Sequence, residues 1–196
     1  MSYTVMGINS GLGVSLYPFK DQLIANVEIR GIFHTPKNEQ WKMNFGEIPL
    51  FKKFDPKYDG ELRKILKQEP DVIISSPDCG SGSVFRFSRA KKLGNHKDNQ
   101  SLILFLKAIV DYTPKFFLFE NLDGLFKSFP EKDFRAILHE YRLVIHNASV
   151  AHWGNSQKTR KRLVIVGIRK DLGKGFKKYF KLPEIPPLKT CGKLYL

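Results

Sequence analysis

Cysteine is scarce in this sequence. Only Cys79 and Cys191 occur, and neither sits in a Cys-x-x-Cys or Cys/His cluster. That spacing excludes a zinc knuckle and a disulfide framework, so no metal is expected and both residues read as free thiols. Long apolar runs are missing too. No stretch approaches the ~20 residues of a membrane span. Met1–Ile8 lacks a basic segment followed by an apolar one, so no signal peptide is expected and the cytoplasm is the expected compartment. Acidic residues are few, 19 against 33 Lys and Arg, for a formal net charge of +14. An excess of that size favours a polyanionic partner, usually nucleic acid, although a Lys-rich solvated surface also fits it. From Lys158 to Lys193 basic residues recur and only Asp171 and Glu184 oppose them, a pattern suited to phosphates.

A composition of 42% hydrophobic and 27% charged residues is that of a soluble globular chain with room for one sizeable core. Short apolar runs at Tyr3–Ile8, Leu23–Val27, Val72–Ser75, Phe116–Phe119, Leu143–Ile145 and Leu163–Ile168 read as strands. Helical spacing marks Gly60–Lys67, Gln100–Tyr112 and Pro130–Tyr141. The second is apolar nearly all round, as a helix buried against a sheet would be. Ser81–Asn99 is polar, basic and Gly-containing, and reads as a loop. Strands alternating with helices predict an α/β fold, a mostly parallel sheet with helices on both faces. In such sheets ligands bind beyond the carboxyl ends of the strands. The chemistry-bearing residues Asn9–Gly13, Glu28, Pro77–Cys79 and Glu120–Asn121 all fall at those ends.

Gly11 and Gly13 let backbone approach a ligand closely, though an ordinary tight turn needs them as well. Glu28 can accept from ribose hydroxyls or remain a solvated acid. Cys79 follows a strand in a Pro- and Gly-containing loop. Its thiolate would be the nucleophile, favoured by Arg86 and Arg89, unless it is an inert core thiol. A partly desolvated Glu120 suits protonation of a ring nitrogen, and it can equally pair with an Arg. Asn121 can orient the same loop through its amide. Arg160 and Arg162 fall on one face of an extended segment, where guanidinium groups bind a carbonyl oxygen or a phosphate or simply form a basic patch.

In combination these segments resemble the cytosine-C5 DNA methyltransferases from about Tyr3 to Arg169. The resemblance rests on Asn9-Ser10-Gly11-Leu12-Gly13, on Ala25-Asn26-Val27-Glu28-Ile29, on Asn44-Phe45-Gly46-Glu47-Ile48, and on Asp71 through Pro77-Asp78-Cys79. It is closest at Pro114 through Glu120-Asn121-Leu122, and extends to Gly154–Arg169. It implies a Rossmann-like, S-adenosylmethionine-dependent methyltransferase sheet. The cofactor would lie against Gly11, Gly13, Glu28, Ile29, Glu47 and Pro77, with Glu28 on its ribose and Glu47, in place of the family's Asp, on its adenine. A cytosine flipped out of DNA would be attacked at C6 by Cys79 and held at N3 by Glu120. Arg162 would hold its O2 side, with Arg160 supporting the loop. Gly80 and Gly82 would hinge a closing loop.

The sequence departs from the family pattern at several positions. Asp78 replaces the Pro before the nucleophile, Gly80 a Gln, and Val14 a Gly, while Lys158 takes the slot of a Gln and Gln157 stands one position off. Pro18 shortens the first helix. Residues 1–170 would form the cofactor-binding and catalytic domain. The basic, Pro-containing tail 171–196 would be the truncated start of a target-recognition region. A second polypeptide carrying that region, a truncated remnant, or a chain acting alone on DNA each fits. Two alternatives to DNA methylation are a tRNA cytosine-C5 methyltransferase and an inactive DNA-binding scaffold.

Overall fold

The computed structural model describes residues 3–11, 13–28, 35–52, 64, 67, 69–77, 99–149 and 160–175. Most of the helix expected over Gly60–Lys67, all of the loop expected over Ser81–Asn99 except Asn99 itself, Ile29, Cys79 and almost all of the tail therefore lie outside the described residues. Among the described residues, no helix is long and apolar enough to cross a membrane.

The elements follow in the order β1 (Val5–Ile8), β2 (Leu23–Glu28), α1 (Thr35–Phe45), β3 (Leu50–Lys52), β4 (Val72–Ser75), α2 (Asn99–Tyr112), β5 (Phe116–Asn121), α3 (Leu125–Ser128), α4 (Glu131–Ile137), β6 (Tyr141–Ser149) and β7 (Lys161–Arg169). Between β1 and β2 the chain forms only a 3₁₀ turn, Tyr17–Gln22, with Pro18 in its first turn, where a missing N–H costs nothing. The strands make one seven-stranded sheet in the order β3-β2-β1-β4-β5-β7-β6. Strands β1 to β5 pair in parallel, while β7 is antiparallel to both β5 and β6. This is the mostly parallel α/β sheet expected from the alternation, in the Rossmann-like form that the resemblance implied.

Two apolar clusters lie on opposite faces of the sheet. Met6, Ile8, Ile73, Phe117, Phe119 and Ile165 pack under α2 and α4. Val5 and Ile74, which alternate with them along the same strands, pack instead under Trp41 and Phe45 of α1. The first cluster is built from aromatic edges. Phe105 of α2 lies 4.8 Å from Phe119, Phe117 lies 5.1 Å from Tyr141, and Phe134 of α4 lies 5.7 Å from Phe119. Helix α2 buries Leu102, Phe105, Leu106 and Ile109, but Ile103 and Val110 are exposed. The helix is buried against the sheet as its apolar composition implied, and Ile103 and Val110 form an outward stripe.

Two boundaries also differ from expectation. Glu120 and Asn121 belong to β5 rather than following it, because β7 extends the ladder to Glu120↔Val164 and Asn121↔Leu163. The helix expected over Pro130–Tyr141 closes at Ile137, and Tyr141 opens β6 with its hydroxyl donating to the Pro114 carbonyl at 2.8 Å.

At the opposite end of the sheet, Asp71 ties β4 to its neighbours. Its carboxylate meets Lys115 Nζ at 2.6 Å and accepts from the Thr4 N–H at 2.9 Å. The hydrogen bond from Lys115 holds its pKa below the usual carboxylate value, against a partial desolvation that raises it and with further help from Thr4. A depressed folded-state value means that this contribution is present above the unfolded value, near 3.9, and is lost as pH falls through the folded value. Urea titrations of Asp71→Asn against wild type should therefore show a stability gap at neutral pH that closes below about pH 4. In the same assay Phe134→Ala should cost about 3–5 kcal/mol, whereas Ile103→Ala on the outer stripe of α2 should stay within about 0.5 kcal/mol.

Candidate functional site

One row of residues crosses the sheet in register: Val27, Ile8, Ser75, Phe119 and Ile165. All are buried. The residues one step further along the parallel strands are Glu28, Asn9, Ser76 and Glu120. The sheet thus places its polar side chains along one edge, where the carboxyl ends of the strands open.

The first half of this edge is built around Glu28. The residue is 3% exposed, and Oε1 of its carboxylate accepts from the backbone N–H of Gly11 at 2.7 Å and from Nδ2 of Asn26 at 2.9 Å. Gly11 has φ +60° and Gly13 φ +78°, a left-handed conformation that suits glycine. Gly13 is buried, and a Cβ there would lie 2.9 Å from the Trp41 ring and closer still to that of Phe45. The glycine turn thereby wraps against α1 and directs the Gly11 N–H at the strand-end acid. Asn9, also at positive φ, donates its side-chain amide to the carbonyl of Ser101 in α2 at 3.2 Å and fixes the other flank.

The second half is built around Glu120. Ser76 Oγ donates to Oε2 at 2.6 Å, and Arg162 Nε lies 2.9 Å from Oε1. The two donors come from different strands, Ser76 just after β4 and Arg162 near the start of β7. Glu120 therefore accepts on both oxygens while its side chain stays one-third exposed, 33%. Asn121 is buried. Its Nδ2 donates to the carbonyl of Pro77 at 3.2 Å, and its Oδ1 accepts from the Leu122 N–H at 2.8 Å. It thus ties β5 to the loop that leads to Cys79, as its amide chemistry had implied.

The fold brings together Gly11, Gly13, Glu28, Pro77, Glu120 and Arg162 at this edge. Arg160 stands just before β7 and is exposed. Glu47 is not brought to the edge. It is exposed on the turn that leads into β3, whereas the β3 residue beside Glu28 is Lys52. The parallel direction of β3 puts Glu47 toward that strand's opposite end, so the expected adenine contact is corrected. Sequence reading missed Ser76 and Asn26. Asn26 had one signal, a polar residue inside an apolar strand at the same parity as Glu28. Ser76 had none beyond its place before Pro77. Among the described residues, no group of three or more His, Cys, Asp or Glu could hold a metal ion.

A buried strand-end carboxylate beside a left-handed glycine turn is suited to a nucleoside ribose. A second carboxylate clamped between a hydroxyl and a guanidinium is suited to a polar heterocycle. Residues 25–190 match the model of the C-5 cytosine-specific DNA methylase family. The DNA (cytosine-5-)-methyltransferase M.ApeKI of Aeropyrum pernix is 31% identical over 156 residues, 65% of this chain and 33% of its own length. The type II methyltransferase M.AquIA of Picosynechococcus is 31% identical over 130 residues, 59% of this chain and 50% of its own. The chain thus spans between a third and a half of these curated relatives. Among solved structures, the Entamoeba histolytica methyltransferase EhMeth shares the fold with a TM-score of 0.69 at 19% identity, covering 96% of this chain and 58% of that one. Spodoptera frugiperda DNMT2, as an E260A/E261A/K263A mutant, gives a TM-score of 0.67 at 19% identity, covering 95% and 56%. With most of its length matched by the family model, this chain belongs to the C-5 cytosine-specific DNA methylases.

Proposed function

We propose that this chain carries the cofactor- and base-binding half of a DNA cytosine-C5 methyltransferase. The observation that supports this most directly is the clamped carboxylate of Glu120. It is held by Ser76 of the loop that leads to Cys79 and by Arg162 of β7. A group held by two donors beside a nucleophile loop is what attack on a polarised ring requires.

S-adenosylmethionine supplies an electrophilic methyl group. The donor set fits it: Glu28 would hold the ribose and the Gly11–Gly13 turn the methionine portion, with Pro77 and Ile29 as the further proposed contacts. The target cytosine leaves the stack, as enzymes acting on a base require. Cys79 Sγ bonds to C6, and the electron pair displaced from the C5–C6 double bond spreads toward N3. Glu120, in its protonated form, donates to N3 and stabilises that charge. Arg162 orients Glu120 and holds the O2 side of the ring, and Arg160 supports its loop. C5 would then take the methyl group, leaving the cofactor as S-adenosylhomocysteine. Water would accept the C5 proton as the Cys79 thiolate departs, which restores the aromatic ring. Cys79 itself acts next to Asp78, whose charge opposes thiolate formation and slows the first step.

The matched region covers between a third and a half of the curated relatives, and a second polypeptide carrying a target-recognition region is the proposed partner. The basic residues from Lys158 onward add phosphate contacts.

DNA containing 5-fluorocytosine tests the reading, because fluorine at C5 blocks the final elimination and leaves the base attached to the protein. With a chain that supplies target recognition present, wild type and S-adenosylmethionine should give a denaturant-resistant adduct on duplex DNA, and Cys79→Ser should give none. An adduct retained by Cys79→Ser contradicts the assignment of the nucleophile. A matching tRNA substrate that traps better than DNA moves the proposal to RNA. DNA binding with no adduct on either supports the inactive scaffold. Glu120→Gln should slow adduct formation by roughly 10²–10³, the usual loss when charge stabilisation is removed. Ser76→Ala, which leaves Arg162 in place, should slow it by a smaller factor, about tenfold.

A further inference from the structure

Asn26 precedes Glu28 by two residues on β2, so the two side chains share one face of the strand. It is fully buried, at 0% exposure, in a strand whose other inner positions are Leu23, Ala25 and Val27. One end of its amide is well used: Nδ2 donates to Glu28 Oε1 at 2.9 Å, the same oxygen that accepts from the Gly11 N–H. The other end is not. Oδ1 is buried and has no hydrogen-bond partner. A buried acceptor left unpaired is destabilising, and Leu or Val would fill the space without that cost. The neighbouring strand also gives up a side chain. Gly7 of β1 lies opposite Asn26 in register, and a Cβ at Gly7 would come within 2.5 Å of Asn26 Oδ1 and of Leu16. Two core positions are thus committed to one amide, and what that amide touches is Glu28.

We infer that Asn26 is a positioning residue for the ribonucleoside of the cofactor: it locks the Glu28 carboxylate in one orientation before the ribose hydroxyls arrive, with Gly7 making the room. The inference rests on the reading of Glu28 as the ribose ligand. A carboxylate held by two donors on one oxygen does not have to be ordered by the ligand, so binding does not lose that ordering free energy. Asn26 contacts the carboxylate and acts on the ribose only through it.

Calorimetry of the full chain with S-adenosylhomocysteine and with its 2′,3′-dideoxy analogue tests this. Wild type should bind the first well and the second weakly. Asn26→Ala should weaken binding of S-adenosylhomocysteine by about tenfold or more and leave the dideoxy analogue within about twofold, since without hydroxyls there is nothing for Glu28 to hold. Asn26→Leu, which keeps the volume, should reproduce that split if the Ala variant unfolds. An equal loss for both ligands assigns Asn26 to general packing and overturns the inference, as does no loss for either. Wild type that binds neither ligand overturns the cofactor reading of Glu28 itself, and the role of Asn26 falls with it.

Discussion

Two serine hydroxyls stitch the ends of the two central strands, and the site depends on that stitch. Ser75 Oγ donates to the carbonyl of Ile8 at 2.6 Å, and Ser10 Oγ donates to the carbonyl of Ile74 at 3.2 Å. Each reaches across from one of β1 and β4 to a backbone oxygen of the other, close to where the ladder stops. A slip of one residue would turn every side chain of β1 or β4 to the opposite face. With the register held, Glu28, Asn9, Ser76 and Glu120 emerge side by side. Both strands are buried and nearly continuous in apolar residues, so alternation alone fixes their register weakly, and these hydroxyls supply what the pattern lacks.

The edge so formed concentrates buried polarity. Glu28, Asn26, Asn9, Ser10, Ser75 and Asn121 are all largely excluded from water in a sheet that is otherwise apolar. Most of these groups find partners in each other or in the backbone, which turns the desolvation cost into rigidity. The network divides at the β1–β4 junction. One part centres on Glu28 and the glycine turn, the other on Glu120, Ser76 and Arg162. In the proposed reaction a methyl donor and a methyl acceptor would use such a division, with each carboxylate held in a separate orientation.

Much of this was legible in the sequence, for physical reasons that differ by element. Val72–Ser75 was read to the residue because Pro70 and Pro77 bracket a β-branched run. Helix α2 was legible from its apolar density, but the outward stripe of Ile103 and Val110 was not, since composition does not reveal which face a neighbour covers. The extension of β5 through Glu120 and Asn121 depends on β7, a strand more than 40 residues away, and no local signal carries it. Glu47 was misplaced because the match rested on a short segment, whereas the direction of β3 decides which end of the strand it occupies. Ser76 and Asn26 escaped notice because their meaning lies in hydrogen bonds made only after the chain has folded.

The central claim is that this chain alone forms a nucleoside-cofactor pocket at the carboxyl edge of its sheet, with Glu28 at its heart. Titration of S-adenosylmethionine into the purified chain, with Glu28→Ala alongside as a folded control, addresses it directly. The account predicts saturable one-to-one binding by wild type that is lost in the variant while the unfolding transition of the variant remains cooperative. Binding that survives Glu28→Ala unchanged, or a wild-type chain that takes up no S-adenosylmethionine at all, would contradict it.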